Sequence, residues 1–410
     1  MQAVITDIKG REILGGRGQP AVEALLTLSS GLTVAASVPS GTSKGRHEAV
    51  ELYDGGTRFG GKGVKTAAAN VSTEICFALI GLDVTDQRLI DRRLKELDGT
   101  PDKSRLGSNA ILAVSAAAAR AAAAVSNMPL YRYLGGFSAA HMPDISSTVL
   151  SGGAYSPSSL EFEDYLVIME DFPSFEDQVE ALCALRIYME NKLKSKFGFY
   201  PEDAGAYAPP LSGTAEAFEL MLESARAVGC EGMVKLGIDV AANECYDAET
   251  GTYLLSKKRY DPETLLHYYK ELCRDYPLIY IEDGFEEDAF RHFAKLKAAL
   301  KGLMVVGDDL FATNIERLKI GVATDAANTL LLKINQIGTI SESFDAVLYA
   351  KRNGYEIAAS LRSNETNDDF AADMAVAAGA RQIKLGSPFR AERGAKYNRL
   401  LKIAGELAGV

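Results

Sequence analysis

The chain is 410 residues long, 47% hydrophobic and 24% charged, with a formal net charge of −11. This is an ordinary globular composition, long enough for two domains, and its acidity argues against nucleic acid or an anionic membrane as the main partner. An anionic small substrate stays compatible with it, because a bound metal can outweigh the global field locally.

The five cysteines (Cys76, Cys183, Cys230, Cys245, Cys273) are scattered and lack CxxC spacing. They read as reduced thiols of a cytoplasmic protein. No basic segment with an apolar core opens the chain, and no apolar run approaches the roughly 20 residues that span a bilayer, so a membrane protein is not expected.

In chain order, residues 1–53 alternate apolar and polar in short runs, with Gly-rich joints at Gly15-Gly16-Arg17-Gly18 and Pro39–Gly45. That suits a small antiparallel meander. The second joint can be mobile and can offer hydroxyls and backbone N–H groups to an anion. From Val64 to Val125 the spacing turns helical, and Ala110–Val125 is mostly alanine, which permits close packing. Tyr131–Gly136 reads as a linker. Residues 1–135 are therefore expected to form an α+β domain and 136–410 a second, larger one.

In that second domain, Tyr165–Met169 reads as a short buried strand preceded by Glu161, Glu163 and Asp164. Ser174–Lys194 reads as a long helix with acids early and lysines late, as the helix dipole prefers. Residues 199–213 read as an irregular loop. Six apolar runs then each stop on a charged or polar group. Met233–Ile238 ends on Asp239, Leu278–Ile281 on Glu282-Asp283, and Leu303–Gly307 on Asp308-Asp309. Leu330–Leu332 ends on Lys333, Glu356–Ala359 on Ser360-Leu361-Arg362-Ser363, and Gln382-Ile383 on Lys384. From Glu282 onward these ends fall roughly 25 residues apart, one strand plus one crossover helix. The fold class is α/β, a (β/α) barrel whose strand ends converge on one mouth. Ala395–Leu407 closes the chain as a helix.

Three carboxylates from adjacent strand ends, Asp239, Glu282 and Asp308, make a hard-oxygen site suited to Mg²⁺. Clustered acids repel unless something positive sits between them. Lys333 and Lys384 stand on the same rim, and a lysine beside a dication is favoured in its neutral form, as a general base requires. With Mg²⁺ this suits proton abstraction next to a carboxylate. Arg362 and Ser363 add a forked guanidinium and a hydroxyl, a good phosphate clamp.

Gly10–Leu14, Val38–Gly41, His47–Leu52, Gly60–Val64, Gly81–Gln87, Ala395–Asn398 and above all Leu331–Thr339 match long blocks of one family. Along essentially its whole length the chain resembles enolase. The resemblance implies an enolase-type (β/α)8 barrel behind an N-terminal α+β capping domain, assembled as dimers or octamers. It implies a cytoplasmic phosphopyruvate hydratase of glycolysis acting on a small anionic phosphorylated substrate. Asp239, Glu282 and Asp308 would hold a first Mg²⁺, and Ser43 a second that arrives with substrate. Lys333 would be the base, Lys384 the lysine on the substrate carboxylate, and Arg362 and Ser363 the phosphate binders.

The chain also departs from the family pattern. Gly-Asp-Glu-Gly-Gly-Phe-Ala-Pro becomes Glu202–Pro209, which puts Ala204 at the position of the general acid. Ser-His-Arg-Ser becomes Ser360–Ser363, with Leu361 for the histidine, and Asn-Gly-Gly-Ala-His becomes Ser151–Tyr155. Gln-Glu becomes Glu163-Asp164, and the mobile loop carries Lys44 with Arg46 nearby. By this correspondence Asp164 joins Lys333 as catalytic, while Glu163, Tyr155 and Lys44 bind substrate. The expected reaction is Mg²⁺-dependent removal of the proton alpha to the carboxylate of 2-phosphoglycerate, or of a related phosphorylated or phosphonylated acid, giving an enolpyruvate product. One alternative is a divergent substrate, as in carboxyphosphonoenolpyruvate synthase. Another is a non-catalytic binding protein, against which the retained Lys333 and Lys384 argue.

Overall fold

The computed structural model describes residues 3–409, apart from 42–43, Tyr155, Pro157, 199–201 and Ala204, and gives only the backbone of Glu202 and Asp203. The chain opens with the expected antiparallel meander, Ile5–Leu14, Pro20–Leu28 and Thr33–Val38. Alternation along Pro20–Leu28 turns Val22, Ala24, Leu26 and Leu28 inward, onto helix Ser108–Val125. Alanines on that helix let its backbone approach the sheet closely. By length and apolarity it could cross a membrane, which corrects the expectation that no run comes near that length; 83% of it is buried within the fold, as befits a core helix. Of residues 131–136, read above as a linker, all but Gly136 belong to helix Leu130–Gly135, whose Leu130 and Tyr131 are buried. Its first turn is fixed from outside, since Tyr131 N–H donates to the Asp373 carboxylate at 3.0 Å.

Eight strands close the barrel. Around it run Asp144–Ser151, Asp164–Met169, Val234–Asp239, Leu278–Glu282, Met304–Gly307, Thr329–Leu332, Glu356–Ser360 and Gln382–Lys384, and the last pairs with the first. All six runs read from the sequence are strands. The first barrel strand escaped that reading because Ser146, Ser147 and Thr148 interrupt its apolar pattern. Strand Asp164–Met169 is antiparallel to both neighbours. Its first residue, not its last, therefore stands at the mouth, with Asp164 in register with Asp239. Leu166, Ile168, Tyr280, Met304, Val306 and Leu331 fill the interior below, as layered inward side chains do in barrels of this kind.

Outside the βα alternation, a three-stranded meander spans Tyr246–Tyr260, with no counterpart in the sequence reading. Cap and barrel meet at a polar joint. Buried Asp91 accepts hydrogen bonds from Ser115 Oγ at 2.6 Å, Gln87 Nε2 at 3.0 Å and the Ser341 N–H at 2.8 Å. Ser115 Oγ in turn accepts the Ile340 N–H at 3.0 Å. The free first N–H groups of barrel helix Ile340–Arg352 thus end on side chains of the cap.

Candidate active site

Strand Thr329–Leu332 delivers Lys333 to the mouth, where its backbone N–H is held by Thr313 Oγ1 at 3.0 Å. Its ammonium pairs with Asp308. Burial works against that charge, but Asp308 and Glu282 outweigh it and raise the Lys333 pKa. Lys384, ending the last strand, is gripped by Asp239 at 2.7 Å and by Glu282 and Asp164 at 3.0 Å each. Here too burial is overcome by the surrounding carboxylates, Asp239 foremost, which raise its pKa well above the ordinary value. The carboxylates thus favour the charged form of both lysines, a balance that a cation bound to those carboxylates would shift toward the neutral form.

Asp239, Glu282 and Asp308 end neighbouring strands as expected. Glu282 is fully buried, and burial, then Asp239, push its carboxyl well up. Tyr280 donates to its Oε2 at 2.5 Å, while Oε1 has no hydrogen-bond partner. A buried carboxylate oxygen with nothing to accept is costly, and a cation would relieve it. Burial alone would raise Asp308, yet Lys333 beside it holds its carboxyl below the usual value.

Asp283, Asp308 and Asp309 also bring carboxylate oxygens within 4.8 Å of one another. Asp283, however, accepts the N–H groups of Asp308 at 3.0 Å and Asp309 at 2.8 Å, one on each oxygen. Asp309 accepts Asn243 Nδ2 at 2.8 Å, and burial, then Asp308, push it up to about 7. These two acids tie strand ends together. Asp239, Glu282 and Asp308 offer an all-oxygen set of the kind Mg²⁺ takes, and within it Glu282 Oε1 is the oxygen without a hydrogen-bond partner. The rim is also strained: Ala241, Asp283, Ala312 and Thr313 all have φ between 43° and 52°, a left-handed backbone that clusters at functional sites.

Arg362 and Ser363 line the same cavity of about 130 Å³. Burial disfavours the Arg362 charge, but Glu48 at 2.9 Å raises its pKa regardless. Glu48 also accepts from Gln336 Nε2 at 3.3 Å, and Gln336 donates to Asp308 at 2.7 Å. A Cβ at Gly41 would lie 1.9 Å from the Arg362 guanidinium, so only glycine lets the loop close onto the clamp here. Lys44, expected on the substrate, sits elsewhere: it pairs with Glu51 at 2.8 Å and lies over the Tyr53 ring at 4.7 Å. Arg46 likewise pairs with Glu287 and Asp288.

Glu163 lines the cavity next to Asp164, but no hydrogen bond or ion pair reaches its carboxyl among the described residues. Burial, then the charges of Asp239 and Asp164, push that carboxyl well above the carboxylate range. Ala206 and Leu361 add apolar surface to the cavity. Ser43, Tyr155 and Ala204 lie outside the described residues. The sequence reading missed the roles of Glu48, Gln336 and Asp283, although all three stand in blocks it singled out. It also missed Arg17, which the first Gly-rich joint carries into the cavity wall.

Comparison with known proteins adds the following. Residues 5–134 match the family described as "Enolase, N-terminal domain", and residues 139–410 match "Enolase, C-terminal TIM barrel domain". The chain is 44% identical over 406 residues to a protein named Enolase from Methanococcus aeolicus, covering 98% of this chain and 95% of that one. It is 44% identical over 411 residues to Enolase of Methanopyrus kandleri, covering 99% and 96%. To Enolase of Methanocaldococcus jannaschii it is 45% identical over 406 residues, covering 98% and 95%.

Proposed function

This chain belongs to the enolase family, whose members are carbon–oxygen lyases, and on that premise we propose that it dehydrates 2-phosphoglycerate or a closely related 2-phosphorylated 3-hydroxy acid. The observation that carries this reading is the pair of buried lysines, Lys333 and Lys384, set among the carboxylates of Asp239, Glu282 and Asp308.

In this reading the substrate carboxylate lies by Lys384, and its phosphate takes the Arg362 guanidinium and the Ser363 hydroxyl. Lys333 Nζ removes the proton alpha to the carboxylate. Mg²⁺, held by Asp239, Glu282 and Asp308, would supply the positive charge that the deprotonated acid needs. Glu48 keeps Arg362 in place, and Gln336 fixes Asp308. The purified protein with Mg²⁺ and 2-phosphoglycerate provides the test. Release of phosphoenolpyruvate with kcat of roughly 10 s⁻¹ supports the reading. Absence of both product and alpha-proton exchange overturns it.

A second reading, a substrate bearing one more anionic group, is favoured by Arg17 in the cavity wall. Burial, then Arg393 and Arg390, lower the Arg17 pKa, with Glu163 acting the other way, so this wall of the cavity carries concentrated positive charge. A phosphonylated or dicarboxylic analogue turned over faster than 2-phosphoglycerate, with the advantage lost in Arg17→Ala, would establish it.

A further inference from the structure

We propose that Glu163 is the acid that protonates the departing hydroxyl, the role that alanine at position 204 cannot fill. The inference rests on the dehydration reading above.

Position comes first. Counting around the closed barrel, Lys333 follows the sixth strand and Glu163 precedes the second, so three strands lie between them in either direction. In an eight-stranded ring that is the opposite wall. A substrate lying between them would give its alpha proton to one wall and meet an acid at the other, an arrangement that suits an anti elimination.

Among the described residues two carboxyls, those of Glu163 and Asp164, stand on that wall, and the structure distinguishes them. Asp164 points into the barrel, as Leu166 and Ile168 do below it, and it is spent on Lys384 at 3.0 Å. Glu163 sits one residue nearer the mouth and lines the cavity, and its carboxyl meets no hydrogen bond or ion pair among the described residues. Asp164 therefore positions Lys384, and Glu163 is the carboxyl left free to act on substrate.

The surroundings also let it carry a proton. Asp239 and Asp164 face Glu163 with negative charge; Lys384, Lys333 and Arg17 act from further round the cavity, and burial is the largest influence of all. A carboxyl in such a place stays protonated above the usual range and can donate.

The step balances. The alpha C–H pair forms the new C=C bond, its proton goes to Lys333 Nζ, and the β-carbon–oxygen bond breaks. The leaving oxygen takes its pair of electrons and the Glu163 proton, and departs as water. Lys333 then loses a proton to solvent and Glu163 regains one.

Wild type, Glu163→Gln, Glu163→Asp and Asp164→Asn would be compared with Mg²⁺ and 2-phosphoglycerate. Alpha-proton exchange is read by NMR in deuterated water, and phosphoenolpyruvate by absorbance. For Glu163→Gln the two readouts should separate: elimination falls about 10²–10⁴-fold while exchange falls far less. Glu163→Asp should restore part of the loss. Wild-type kcat should decline at alkaline pH as the donor loses its proton, and that limb should vanish in Glu163→Gln. Asp164→Asn should weaken exchange and elimination together and raise KM. Elimination at wild-type rate in Glu163→Gln, or parallel loss of both readouts there, overturns the assignment. So does a wild type that exchanges but does not eliminate, with proton abstraction left standing. A wild type that does neither removes the dehydration reading itself and this inference with it. If Glu163→Gln fails to fold, the wild-type alkaline limb and Glu163→Asp decide alone.

Discussion

Lys333 and Asp164 occupy opposite walls of one barrel, and Lys384 reaches the Asp164 carboxylate at 3.0 Å while also holding Asp239 and Glu282. One ammonium thus links the wall that would carry the acid to the acids that would carry the metal. Loss of any of its partners should be felt at both.

The base is tested most directly. Lys333→Ala should abolish exchange of the alpha proton, with a fall of at least about 10²–10⁴-fold, and NMR of 2-phosphoglycerate in deuterated water follows it. Equal exchange by wild type and variant would show that another group takes the proton.

Metal binding can be followed without turnover. Asp308→Ala removes one of three converging carboxylates and frees Lys333 from its pair. Calorimetry should show the Mg²⁺ isotherm collapse in this variant. Unchanged affinity would move the ligand set to other acids of the rim.

The Arg362–Glu48 pair is buried at both ends, with side chains 5% and 6% exposed. Breaking a pair of this kind from one side leaves a buried charge less well compensated, a loss of up to about 3–5 kcal/mol. Glu48→Gln should therefore destabilise the protein in urea melts and raise KM through a misplaced Arg362. A melt identical to wild type would mean that solvent or Glu51 takes over.

Asp91 gives a pH signature far from the chemistry. Burial raises its carboxyl pKa in the folded state above the ordinary 3.8, despite its hydroxyl, amide and N–H donors. The folded state then binds the proton more tightly than the unfolded one. That contribution is fully present below pH 3.8 and is lost as pH rises through the folded value. The stability of wild type relative to Asp91→Asn should consequently decline from pH 4 upward, and paired urea melts across that range check it. A difference independent of pH would contradict the raised value.

Six of the seven parallel strands were legible because strands buried on both faces leave continuous apolar runs, and a charged or polar group marks where each meets the mouth. Asp239, Glu282, Asp308, Lys333 and Lys384 were found that way. Direction was not legible: period two looks the same from either end, so Tyr165–Met169 was seen as a strand while its reversal was not. Three small hydroxyl residues hid the strand Asp144–Ser151, since they pack inside without contributing apolar signal. Partner choice was also out of reach. Lys44 is close in sequence to the Gly41 that meets Arg362, yet it turns to Glu51, a contact decided by the fold rather than by spacing.

The reversed strand divides the pocket into parts of different ancestry in the chain. The proposed metal ligands and base leave the exits of ordinary strands, whereas Glu163 and Asp164 sit on the way in, after a loop pinned by Gly152 N–H to the Glu163 carbonyl at 3.0 Å and Gly153 N–H to the Leu160 carbonyl at 3.0 Å. Substitutions in 152–163 can retune how a leaving group is handled without moving any exit that carries a ligand. In the proposed reaction, proton abstraction and departure of the leaving group would thus rest on separate stretches of the chain.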